Sequence, residues 1–124
     1  MKMNIKVTGM ELTPAIESHL HEKFSQVEKF LGSRGGNARA EIEVGKTTQH
    51  HKHGDIFRAE INLHSSGQHF YFDHTAEDLY AAIEIVKDGV IGEVKNSSEK
   101  RHTLLRRGGR KIKDMLRGIN PWRK

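Results

Sequence analysis

The sequence contains no cysteine, which excludes disulfide bonds, thiolate nucleophiles and cysteine-based metal sites. This absence fits a reducing compartment, and we expect the protein to be cytoplasmic. No apolar run approaches the length of about 18 residues that a transmembrane helix needs, and the opening "MKMNIKVTGM" lacks the apolar segment of a signal peptide. We therefore expect neither a signal peptide nor a membrane-spanning helix.

Motifs of enzymes are also missing from the sequence. It has no Walker loop, no HExxH and no GxSxG. The acidic residues Asp73, Glu77 and Asp78 lie where a helix is expected to begin, and capping of that helix explains them. We expect no catalytic residue, no cofactor and no small-molecule substrate.

One histidine cluster, "QHHKHGD", places His50, His51, His53 and Asp55 close together. Imidazoles beside a carboxylate can bind zinc or nickel. This spacing matches no standard site, however, and no distant ligand pair completes one. We expect no metal here, and we interpret the cluster as a polar hairpin end whose histidines can touch phosphate below pH 7.

Charge is distributed unevenly along the 124 residues. Residues 1–98 hold eleven Lys and Arg against fourteen Asp and Glu, a net charge of −3. Residues 99–124 hold ten Lys and Arg against two acids, a net charge of +8. A strongly basic segment of this kind indicates a polyanionic partner, either nucleic acid or an anionic membrane surface.

Apolar residues interrupt the basic tail, and Ile112, Met115, Leu116 and Ile119 follow helical spacing. This pattern allows an amphipathic helix that forms on RNA or lies on a membrane, whereas a purely solubilising tail would not need it. Trp122 can stack on a base. We favour nucleic acid as the partner of the tail, and we expect no membrane partner.

Hydrophobic periodicity in the first 98 residues predicts strand, helix, three strands and helix. "MNIKVTG", "ARAEIEVG", "DIFRAEINLH" and "QHFYFDH" alternate as strands, and "SSG" is a turn. The first helix is predicted to have Thr13 as its N-cap, Pro14 at its first position and a stop at Gly32, with "GSRGGN" as a loop after it. The predicted fold class is α+β, a four-stranded sheet with two helices packed on one face.

The second helix is predicted within residues 74–102, with Thr75 as its cap and Asp78 three residues later. Its apolar stripe consists of Leu79, Ala82, Ile83, Val86, Val90 and Val94. The domain organisation that follows is an α+β domain over residues 1–99 and a basic tail over residues 100–124, disordered or partly helical.

The segments "MNIKVTGMELTPAIESHLHEKFSQVEKF" and "HGDIFRAEINLHSSGQHFYFDHTAEDLYAAI", together with "EDLYAAIEIVKDGV", carry a resemblance to a known family. Over residues 3–101 the chain resembles the ribosome hibernation-promoting factor and ribosome-associated inhibitor family, also labelled the sigma-54 modulation protein family. The length of the chain resembles that of the short members of this family. The resemblance implies a β-α-β-β-β-α domain related to double-stranded-RNA-binding folds.

The resemblance also implies a function. Such a protein occupies the small ribosomal subunit between head and body, where mRNA and tRNA would lie, and keeps idle ribosomes inactive under stress or in stationary phase. The expected partners are the small subunit and its ribosomal RNA. We expect the free protein to be a monomer. Two alternatives stay open: a protein-binding regulator of an alternative sigma factor, and a generic double-stranded-RNA-binding module.

Two features depart from the family pattern. Where the family tends to carry Lys or Arg on its second helix, this chain has Gly89, Gly92 and Asn96, and its tail is basic where a short relative is acidic. Two interpretations of the glycines stay open. Either packing tolerates a weakened helix, or the helix backbone approaches RNA or the protein's own folded-back tail closely. We expect RNA contacts from the following residues: Lys23, Lys29, Lys87, Lys95, Lys100, Arg101, Arg106, Arg107, Arg110, Lys111, Lys113 and Arg117.

Overall fold

The chain follows the predicted order of strand, helix, three strands and helix. Its structure is a computed structural model that describes the backbone of residues 1–47 and 55–106, with side chains described as far as residue 98. The elements are β1 (Lys2–Thr8), α1 (Pro14–Leu31), a 3-10 helix (Gly32–Asn37), β2 (Arg39–Lys46), β3 (Phe57–Ser65), β4 (Gln68–Ala76) and α2 (Leu79–Arg106).

The four strands form one mixed sheet in the order β1-β2-β3-β4. Strand β1 pairs parallel to β2, with α1 as the connection, and the other two pairs are antiparallel. Between β3 and β4, Ser66 and Gly67 both have positive φ, 50° and 78°. Positive φ at both central residues fits a type I′ turn, whose twist matches that of the flanking strands. The turn predicted at "SSG" is confirmed.

One face of the sheet carries the hydrophobic core, because alternate residues of each strand point to the same side. The apolar residues of α1 and α2 recur at helical spacing, and the faces that they form cover this core. The predicted α+β class is therefore confirmed. The fully buried large side chains are Leu20, Phe24, Val27, Ile42, Val44, Ile61, Leu63, Ile83, Val86, Val90 and Val94.

Helix α1 begins after Thr13 and ends before Gly32, as the sequence predicts. The hydroxyl of Thr13 accepts a hydrogen bond from the backbone N–H of Ile16 at 3.2 Å, Pro14 opens the helix, and Gly32 follows it with φ of 61°. The segment predicted as a loop after α1 instead forms the 3-10 helix. Contacts to the β3–β4 hairpin hold it, since Arg34 donates to the side-chain oxygen of Gln68 at 2.7 Å.

The prediction that Thr75 caps the second helix is wrong. Pairing with β3 continues along β4 as far as Ala76, so Thr75 belongs to a strand. The helix begins at Leu79, and Asp78 is the capping residue. Its carboxylate accepts a hydrogen bond from the backbone N–H of Tyr80 at 3.2 Å. An aspartate can satisfy these unpaired helix N–H groups as well as a threonine can.

Contacts within the chain define a compact unit over Met1–Val94 and a second unit that begins at Lys95. Helix α2 continues into the second unit and ends at Arg106. The predicted domain boundary between residues 99 and 100 stays a prediction. None of the helices in the described ranges is long and apolar enough to cross a membrane.

Candidate nucleic-acid interface

Helices α1 and α2 meet through side chains as well as through the core. The rings of His19 on α1 and Tyr80 on α2 pack edge to face, with centroids 4.6 Å apart. One turn further along, the ammonium of Lys23 lies 3.2 Å from a carboxylate oxygen of Glu84. Lys23, predicted to contact RNA, thus links the two helices.

Lys87, a second lysine predicted to contact RNA, lies beside the same carboxylate and is largely buried, with 7% of its surface exposed. Its ammonium donates to Glu84 at 3.0 Å and to Asp88 at 2.7 Å. The hydrogen bond to Asp88 is the main reason that the pKa of Lys87 is raised. Hydrogen bonds from Lys87 and then from Lys23 lower the pKa of Glu84.

These four side chains, Lys23, Glu84, Lys87 and Asp88, form what we call the interhelix ion network. Two positive and two negative charges make it neutral at pH 7. A phosphate would have to compete with Glu84 and Asp88 for either lysine. The network therefore supplies less net attraction to RNA than the sequence alone suggests.

The other two predicted lysines of the body are exposed. Lys29 lies in the last turn of α1, where a cation also interacts favourably with the helix dipole. Within residues 1–47 and 55–98 it forms no ion pair. Lys95 lies on an exposed position of α2. Of the lysines predicted on α1, Lys29 is the one whose charge is not offset locally.

The remaining predicted contacts belong to the end of the chain. The backbone of Lys100, Arg101 and Arg106 lies in α2. Five others lie outside the described residues: Arg107, Arg110, Lys111, Lys113 and Arg117. For all of these side chains, contact with RNA stays a prediction.

Comparison with known proteins decides the family. The family model described as "Sigma 54 modulation protein / S30EA ribosomal protein" matches residues 3–102. The chain belongs to this family. A ribosome hibernation promoting factor of Klebsiella oxytoca is 30% identical over 100 residues, which cover 81% of this chain and 96% of that protein. One of Azotobacter vinelandii is 27% identical over 100 residues, which cover 81% and 85%.

Solved structures agree on the fold. The N-terminal domain of Thermus thermophilus Protein Y superimposes with a TM-score of 0.65 at 22% identity, covering 77% of this chain and 98% of that one. A ribosomal subunit interface protein from Coxiella burnetii gives 0.65 at 10% identity, covering 80% and 99%. The family resemblance drawn from the sequence is confirmed, and members of this family act by binding and not by catalysis.

The glycines that distinguish α2 from the family pattern have different surroundings. A Cβ atom at Gly89 would overlap the ring of Phe72 on β4, whereas nothing lies within 4 Å of the same position at Gly92. Packing of the helix against the sheet therefore accounts for Gly89. Gly92 has no such constraint among the described residues.

Two further findings concern the histidine cluster and Glu84. His50, His51 and His53 lie outside the described residues, and within the described part of the chain no three His, Asp or Glu side chains are placed to hold a metal ion. Glu84 is the residue that sequence reasoning missed. Its spacing of three from Lys87 on a helix was visible in the sequence, but its contact with Lys23 depends on how the helices pack.

Proposed function

We propose that this chain is a ribosome hibernation factor that occupies the mRNA and tRNA region of the small subunit through contacts with ribosomal RNA. The observation that carries the proposal is the match over residues 3–102 to a family described in part as an S30EA ribosomal protein. Relatives that align over almost their whole length carry the name ribosome hibernation promoting factor, which supports it further. The protein would act in the cytoplasm as a monomer that stabilises idle ribosomes.

Inhibition in this proposal comes from occupancy, with no bond made or broken. In this proposal the surface formed by α1 and α2 fits the protein to folded RNA by shape, as in other recognition of RNA helices. Contacts with phosphate supply most of the affinity. Because the interhelix ion network is neutral, Lys29 and the basic residues from Lys95 onward carry most of the attraction.

Charge at the end of the chain supports this division of roles. Residues 99–124 carry a net charge of +8, whereas residues 1–98 carry −3. If the tail neutralises about five phosphates, the logarithm of the binding constant falls with the logarithm of salt concentration with a slope of about −3.5 to −4.5. The tail then provides affinity and the α+β domain provides placement.

The experiment is co-sedimentation of the full-length chain with purified small and large ribosomal subunits across a salt series. One variant replaces six basic residues by Gln: Arg106, Arg107, Arg110, Lys111, Lys113 and Arg117. A matched control replaces only the four arginines of that set by Lys, which keeps the charge. We expect the parent and the control to pellet with small subunits, and the neutralised variant to dissociate at much lower salt.

The same experiment separates the alternatives. A regulator of a sigma factor, which the other half of the family description allows, would not pellet with either subunit and would depend little on the tail. A generic double-stranded-RNA-binding module would bind a bare RNA duplex as tightly as it binds small subunits. Failure of the parent chain to pellet even at low salt would contradict the proposal.

A further inference from the structure

The side of the sheet that faces away from the helices carries a row of basic and aromatic side chains at one end. Strand register places Lys2 opposite Arg39, Arg39 opposite His64, and His64 opposite His69. Each strand contributes one residue, and all four point to the same side because facing residues in a sheet share a face. We call this set, Lys2, Arg39, His64 and His69, the basic row.

The basic row is accessible. Lys2, Arg39 and His69 are exposed and His64 is half-buried. The two imidazole rings stack with centroids 4.5 Å apart and planes 16° from parallel. Since His69 also contacts the side-chain oxygen of Asn62 through Nε2 at 2.9 Å, the ring pair is held in place.

Among the side chains that the structure describes, one carboxylate forms an ion pair with the basic row, and it belongs to Glu41. It lies 3.4 Å from Nε of Arg39, and both side chains are about half exposed. Surface pairs of this kind are weak. The contact with Glu41 uses Nε and not the two terminal nitrogens of Arg39, which are the atoms that bind a phosphate in a fork.

The rest of this face has the opposite character. The next two rows contain Glu41, Glu43, Glu60 and Asp73 with a single lysine, Lys6, whereas the basic row contains no acidic residue. At the far end, Arg58 is already engaged by carboxylates, at 2.6 Å for Glu60. A polyanion would therefore be attracted to one end of the sheet and repelled from its middle.

We propose that the basic row binds the phosphate backbone of single-stranded RNA, with a base stacked on the histidine pair. Neighbouring strands lie about 4.8 Å apart, so the row spans about 14 Å, room for more than one phosphate. Imidazole rings are established stacking platforms for unpaired bases. The inference rests on the proposed function for the source of the RNA, and it gives the protein a second RNA contact on the face opposite α1 and α2.

The test measures binding of the full chain to a fluorescent single-stranded oligouridine of about 12 nucleotides, a length within the range that one small domain covers. The variant is Lys2→Gln with Arg39→Gln. The control is Lys6→Gln with Lys46→Gln, which removes the same charge from two positions outside the basic row. Lys6 lies opposite Glu43 in the strand register, and Lys46 lies 3.5 Å from a carboxylate oxygen of Asp55. Every variant keeps the tail, so its contribution is the same throughout.

We expect the basic-row variant to bind at least about tenfold more weakly than the control, and its salt slope to be smaller by about 1.4, the value for two lost single-strand phosphate contacts. His69→Ser should weaken binding about fivefold or more, whereas His69→Phe, which keeps a ring for stacking, should not. Equal weakening by the basic-row variant and the control would overturn the proposal. So would tighter binding of an oligoglutamate peptide than of RNA.

Co-sedimentation of the same variants with small subunits separates this inference from the proposed function. If the parent chain does not pellet but the basic-row variant still loses oligouridine binding relative to the control, the proposed function fails and the basic row stands. If the parent pellets and the two variants behave alike in both assays, the proposed function stands and the basic row is refuted.

Discussion

Gly89 lies where helix α2 crosses the ring of Phe72, whereas at Gly92, on the same helix, no described atom lies within 4 Å of where a Cβ would be. The comparison separates two physical roles of glycine in a helix. At Gly89 the missing side chain allows close packing, and at Gly92 it only lowers the helix propensity.

Alanine substitution at the two glycines should therefore have opposite effects. Gly89→Ala forces the Phe72 ring to move, and overpacking of this kind costs about 1–3 kcal/mol. Gly92→Ala meets nothing and should gain up to about 1 kcal/mol from better helix propensity. Urea denaturation of the two variants measures both. Equal gains in the free energy of unfolding would show that Phe72 does not constrain Gly89.

The sequence shows that Gly89 and Gly92 are unusual in a helix, but it leaves their role open. The reason is that Phe72 and Gly89 are far apart in the chain, so their contact appears only when the helix is placed on the sheet. The same holds for the basic row. Lys2, Arg39, His64 and His69 have no common motif, and strand register alone brings them together.

Helices α1 and α2 are connected by Glu84, which accepts a hydrogen bond from Lys87 on α2 and forms an ion pair with Lys23 on α1. Replacing Glu84 by Gln removes a carboxylate that competes with phosphate for Lys23 and Lys87. We expect Glu84→Gln to strengthen binding to small subunits and to steepen the salt slope by about 0.7–0.9, the value of one extra phosphate contact. Glu93→Gln, an exposed change on the same helix, is the matched control for net charge.

The same substitution has a defined effect on stability. Since the pKa of Glu84 is lowered in the folded protein, its contribution to the free energy of unfolding is present above the ordinary carboxyl pKa and is lost as pH falls through the folded value. Glu84→Gln should destabilise by less than about 1 kcal/mol at pH 7, because the side chain is partly exposed. That difference should disappear in strong acid. A difference that grows in acid would contradict the assigned direction.

Elements themselves were largely predictable. Alternation predicted all four strands, helical spacing predicted the buried stripes of both helices, and Thr13 and Gly32 marked the ends of α1. The start of α2 was not predictable in the same way. Thr75 and Asp78 are both good caps, and pairing of β4 with β3 decided between them. Strand pairing is a tertiary effect that local propensity does not contain.

Across the whole molecule, the positive charge is concentrated in a different part of the chain from the folded α+β domain. Its first 98 residues carry a net charge of −3, and the lysines between the helices are balanced by carboxylates, while residues 99–124 carry +8. The charge distribution is visible in the sequence itself, and the role of the basic tail stays a prediction. The sequence did not predict that Lys87 is buried, since burial depends on packing around α2.

Competition with tRNA on purified small subunits shows whether the chain occupies the mRNA and tRNA region. The measurement is binding of labelled tRNA to mRNA-programmed small subunits as the full-length chain is added. If the chain occupies the mRNA and tRNA region, tRNA is displaced to completion, and a higher tRNA concentration shifts the displacement to more protein in proportion. Small subunits that hold both the protein and tRNA at saturation would contradict the proposed site of action.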